Sequence, residues 1–111
     1  MSQATPKAVT IRYGDGYIDV VNRLHVSKRA DGEFKVDLDP QKKSESGADY
    51  VNRDVHLIGK DANASWLNGT FNASSVESNT ISITDQETGD YDYTVRVQDH
   101  GEIDPRIVVV P

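Results

Sequence analysis

The chain has 111 residues, 18 acidic against 12 basic, for a formal charge of −6, and it contains no cysteine. That balance repels nucleic acid, because no basic stripe with interleaved aromatics offsets it. The missing thiols exclude disulfides, thiol catalysis, zinc–thiolate sites and iron–sulfur ligation. With 36% hydrophobic residues and a mean hydropathy of −0.59, the chain suits one domain with a thin core and one wet face on most elements.

The N-terminus, "MSQATPKAVT", has no apolar core and does not read as a signal peptide. Apolar runs are no longer than stretches such as "IVVV", far below a membrane span. A cytoplasmic location is the expectation, with a piece of a longer surface or phage protein as the alternative. Residues 1–7 read as flexible and 8–111 as a single domain.

Strand signals then follow one another, bounded by Gly, Asp and Asn clusters. "AVTIRY" (Ala8 to Tyr13) leads through the turn "GDG" into "YIDVVNRLHV" (Tyr17 to Val26), and "ADG" turns the chain into "EFKVDL". There Phe34, Val36 and Leu38 alternate with charged residues, one face in and one face out. "DPQKKSESGAD" reads as a loop in which Pro40 stops pairing. Further strands are predicted in "VNRDVHLIG", around "SWLNGTF", in "NTISIT", and twice in the C-terminal tail. No stretch carries a 3.6-residue apolar period and no internal repeat is present. Seven or eight short strands predict an all-β sandwich or barrel. Asn63, Asn68 and Asn72 match the glycosylation acceptor pattern, but without a signal peptide they read as turn chemistry. Trp66 and Phe71 flank "NG", a favoured hairpin dipeptide, and are expected to supply large core side chains.

The tail "GDYDYTVRVQDHGEIDPRIVVVP" has the frame of a copper-binding cupredoxin, with Gly89, Tyr91 and Tyr93 in place but Val95 where the thiolate would stand. The only methionine is Met1. Blue copper needs a thiolate and two imidazoles, so the copper reading fails while the sandwich frame survives. No cofactor and no metal are expected. An immunoglobulin-like frame fits equally, with Tyr91 as a tyrosine corner after "ETGD". The fold class is therefore all-β, an immunoglobulin-like or cupredoxin-like β-sandwich. In either frame Tyr91, Tyr93, Val95 and Val97 share one face of a core strand. The alternative is a ligand platform on Tyr91 and Tyr93, with Trp66 as a further binding aromatic.

His25, His56 and His100 have no ligand spacing. The carboxylates Asp85, Glu87, Asp90 and Asp92, then Asp99, Glu102 and Asp104, form no EF-hand pattern and read as a solvated acidic rim. No G-x-S-x-G, H-E-x-x-H, P-loop or G-x-G-x-x-G occurs, so no catalytic residue is assigned and an enzyme is not expected.

The final residues, "YDYTVRVQDHGEIDPRIVVVP", resemble the ending of the DP-EP family of small bacterial proteins, with Asp104, Pro105 and Ile107 at the matching places. That resemblance implies a compact sandwich of either type and no assigned activity. A further resemblance, to bacterial inclusion-body proteins of the PixA type, implies self-association. On physical grounds Pro105 holds Asp104 extended at the entry to a closing strand, and the Asp104 carboxylate is placed to accept a nearby backbone N–H.

In that strand Ile107 and Val109 point to one side and Val108 with Val110 to the other. Two apolar faces require a cover over the second, either a loop of the same chain or another subunit. At a sheet edge the strand could also pair with its own copy across a two-fold axis. Val108 and Val110 are thus candidate interface residues. The functional expectation is a non-enzymatic protein acting through protein contacts, including a homodimer, with neither nucleic acid nor membrane as partner. The alternatives are a small-molecule or carbohydrate binder and a component of a phage or surface assembly.

Overall fold

Alternation of apolar and polar residues sets the architecture, and the computed structural model describes it for residues 7–41, 50–73 and 79–111. The strands are β1 (Ala8–Gly14), β2 (Tyr17–Val20), β3 (Arg23–Ser27), β4 (Glu33–Pro40), β5 (Asp54–Gly59), β6 (Gly69–Asn72), β7 (Thr80–Ser82), β8 (Gly89–Val97), β9 (Gly101–Ile103) and β10 (Arg106–Val110). A 3-10 helix spans Ala62–Leu67. One sheet has the order β2-β1-β4-β7; the other runs β3-β10-β8-β5-β6, with β9 added beside β8. The expected all-β sandwich is therefore observed.

The single strand expected over Tyr17 to Val26 is two strands, because the chain leaves one sheet after Val20 and enters the other at Arg23. This switch gives each sheet one parallel pair, β1 with β4 and β3 with β10, while the remaining pairs are antiparallel. The β1–β2 hairpin closes on Asp15 and Gly16 between the paired Gly14 and Tyr17. Gly16 has φ 77, the positive φ that a type II turn requires at its third residue and that glycine adopts without strain.

Inward residues from both sheets form one core: Val9, Ile11 and Tyr13 from β1, Phe34 and Val36 from β4, Val55 and Leu57 from β5. Strand β8 contributes Tyr91, Tyr93, Val95 and Val97, and β10 contributes Ile107 and Val109. Trp66 and Phe71 pack against this core from its margin and stay partly buried.

Two local expectations are corrected. Pro40 is the last residue of β4, paired with Tyr13, and the next N–H, on Gln41, donates to the Tyr13 carbonyl at 2.9 Å. A proline at a strand end forfeits only one donor, so the loop starts two residues later than the composition suggests; residues 42–49 of it lie outside the described residues. Nor do Asn68 and Gly69 form a hairpin turn. Asn68 follows the 3-10 helix in extended conformation and its Oδ1 accepts the Gly59 N–H at 2.7 Å. Its side chain ties the helix exit to the end of β5. Gly59 is needed there for a second reason: a Cβ on it would run into the carbonyl of Ala64.

Candidate functional site

The outward face of the larger sheet carries rows of paired polar side chains. Parallel pairing of β3 with β10 and antiparallel pairing of β10 with β8 set Arg23, Arg106 and Asp92 side by side, and His25, Val108 and Asp90 in the next row. Val110 stands beside Ser27. Arg106 Nε donates to Asp92 at 2.7 Å and its Nη1 to Asp90 at 3.3 Å. Asp92 raises the pKa of the Arg106 guanidinium by accepting its hydrogen bond and by its charge. Farther along the face, Thr94 Oγ1 donates to Asp104 at 2.8 Å, Lys60 Nζ lies 3.4 Å from the same carboxylate, and Arg96 Nε lies 3.0 Å from Glu102. The Thr94 hydroxyl first, then Lys60, holds Asp104 below the usual carboxylate range. Among the described residues Asp104 thus takes side-chain partners, Thr94 and Lys60, where a backbone N–H was expected.

Val108 and Val110 lie on this outward face, half-buried, with Ile107 and Val109 in the core. Strand β10 is flanked by β3 and β8. It has no free edge, so the edge-to-edge pairing considered for "IVVV" is ruled out and only its outward face is open to a partner.

The aromatics expected as an alternative ligand platform are elsewhere. Tyr91 is 7% exposed and Tyr93 0%, since odd-numbered residues of β8 face inward, so neither presents a ring to solvent. The Tyr91 hydroxyl donates to the Glu87 carbonyl at 2.6 Å, the corner bond read from "ETGDY". Trp66 is pressed edge-on against Tyr91, ring centroids 5.1 Å apart at 82°, and its Nε1 is buried. The hydroxyls of Tyr13 and Tyr93 are buried and have no hydrogen-bond partner among the described residues. Desolvation pushes Tyr13 up to about 12, with a smaller contribution from Asp39, and raises Tyr93 as well.

A second cluster forms at the end of the sandwich where β1 meets β2 and β8 meets β9. Tyr50 donates to Asp15 at 2.7 Å, meets the His100 ring edge-on at 5.1 Å, and carries the Arg53 guanidinium 4.6 Å over its own ring. Arg53 Nη1 donates to the carbonyls of Gln98 and Asp99 at 3.2 and 3.0 Å. His100 Nε2 donates to the Tyr17 carbonyl at 3.0 Å. The hydrogen bond to Asp15, followed by burial and the charge of Asp15, raises the Tyr50 pKa. Linear spacing gave no sign of this cluster, which draws on three separate segments. Beside it a shallow groove of about 320 Å³ is lined by residues that include Tyr17, His100, Gly101 and Glu102.

The histidines do not converge: His25 is exposed on β3, His56 Nδ1 meets Thr70 Oγ1 at 3.0 Å, and His100 belongs to the end cluster. Among the described residues no three His, Asp or Glu side chains are grouped to hold a metal ion. Among the same residues no helix is long and apolar enough to cross a membrane. No family model, curated protein or solved structure matched the chain.

Proposed function

We propose that this β-sandwich is non-enzymatic and acts through protein–protein contacts, its own copy being one partner, with the outward face of β3, β10 and β8 as the contact surface. The observation that carries the reading is the pair Val108 and Val110 on the solvent side of a central strand, on a face otherwise built of charged and polar side chains. Two neighbouring β-branched side chains, half-buried on an otherwise polar stretch of sheet face, support a contact site there. Each sheet holds one parallel pair, which favours the cupredoxin-like type over the immunoglobulin type, a sandwich of two antiparallel sheets. Light scattering over a concentration series tests the reading. The wild type gains mass with concentration and Val110→Asp stays monomeric with an unchanged far-UV spectrum; a wild type that is monomeric throughout removes self-association.

A second reading, a small-molecule or carbohydrate binder, is favoured by Tyr17, a residue 40% exposed that lines the groove beside His100. Amide shifts of Tyr17, His100 and Gly101 on titration with a panel of monosaccharides support it; a flat titration across the panel leaves the contact reading alone.

A further inference from the structure

We infer that the second copy docks across a two-fold axis running nearly parallel to β10, with the β3 flank of each protomer facing the β8 flank of the other. The inference rests on the proposed contact face and fixes its partner and orientation. The face is a stripe, apolar along Val108 and Val110, with opposite charges on its two sides. On the β3 side Arg23 and His25 are exposed, and among the described residues neither is in an ion pair. On the β8 side Asp90 and Asp92 share the single guanidinium of Arg106, which leaves one negative charge uncompensated. Their carboxylates stay accessible, with 56% and 45% of each side chain exposed.

For two sheets packed face to face, only two in-plane axis directions keep the strands aligned. An axis across the strands sets β3 over β3 and β8 over β8, so like charges meet. An axis along β10 exchanges the flanks, so His25 meets Asp90 of the second copy and Arg23 meets its Asp92. A pure two-fold rotation about that axis permits no sliding along it. Val108 therefore meets Val108, and Val110 meets Val110, in an isologous contact. The geometry is that of an aligned sheet pair about 10 Å apart. Three strands at about 4.8 Å spacing and five residues at about 3.3 Å each cover roughly 240 Å². That is well below the roughly 800 Å² per partner of a stable complex, so the dimer is weak and its charges decide the orientation.

A charge exchange between two variants tests the arrangement, read by sedimentation equilibrium with folding checked by circular dichroism. Arg23→Glu in one chain, and Asp92→Lys in another, should each lower homodimer association roughly tenfold, through two like-charge contacts per dimer. Mixing the two variants should restore association, and about 0.5 M salt should weaken both the wild type and the mixture. If the wild type dimerises but either variant alone associates as well as wild type, the axis along β10 is wrong while the contact reading stands. If the wild type stays monomeric at every concentration, the contact reading fails and this orientation with it.

Discussion

Tyr91 and Tyr93 lie two residues apart on the inward face of β8, yet among the described residues only one of their hydroxyls finds a partner. Tyr91 donates to the Glu87 carbonyl at 2.6 Å, whereas the buried Tyr93 hydroxyl has no partner among the described residues. Removing the two hydroxyls should therefore act in opposite directions. Tyr91→Phe loses a hydrogen bond and should cost about 1 kcal/mol. Tyr93→Phe relieves an unpaired polar group and should be neutral or stabilising by up to about 1 kcal/mol. Urea midpoints of the two variants check this; a destabilised Tyr93→Phe would mean its hydroxyl has a partner.

Truncating the ring is a different matter. Tyr93→Ala removes a side chain that is 0% exposed and should cost roughly 3 kcal/mol or more through lost burial and the cavity left behind. The same urea melts measure it, and an unchanged midpoint would contradict the core placement.

Alkaline pH should unfold the protein through these tyrosines. Tyr13 is raised from 10.0 to about 12 and Tyr93 is raised too, so the native state keeps protons that the unfolded chain releases. The Tyr13 contribution is fully present below pH 10 and is lost as pH rises through its native value of about 12, and Tyr93 acts in the same direction. Thermal melts between these limits should fall more steeply for wild type than for a Tyr13→Phe, Tyr93→Phe double variant; parallel curves would refute the assignment.

The strand pattern was largely legible in the sequence, and the partnerships between strands were not. Alternation in "EFKVDL" and "YDYTVRV" identifies inward residues because a strand repeats every two residues, and the tyrosine corner was readable because its donor and acceptor are four residues apart. The break of Tyr17–Val26 into β2 and β3 was hidden, since both halves share one β-rich composition and only tertiary pairing separates them. "NG" pointed to a hairpin because that is its commonest local use; here the side chain of Asn68 is committed to Gly59 instead. The alternation that placed Val108 on the outward face could not supply its neighbours, His25 and Asp90, which are remote in sequence.

Gly59 makes the approach of the 3-10 helix to β5 possible, since a methyl group there meets the Ala64 carbonyl. Gly59→Ala should destabilise by about 2 kcal/mol, as overpacking of a backbone contact does. Chemical denaturation measures it, and a neutral result would mean the helix can move away without cost.

Arg53 links Tyr50 to the carbonyls of Gln98 and Asp99. Arg53→Ala should leave global stability almost unchanged but speed hydrogen exchange at the His100 amide, which donates to Val97 across that turn. Unchanged exchange would show that the β8–β9 turn holds without the guanidinium.

The central claim, a contact surface on the outward face of β10, is tested most directly by amide NMR spectra of the wild type recorded from dilute to concentrated solution. The expected result is concentration-dependent shifts confined to β3, β10 and the start of β8, centred on His25, Val108 and Asp90, with Thr10 and Lys35 on the opposite sheet unmoved. Shifts centred instead on Tyr17 and His100, or no shifts at any concentration, would contradict it.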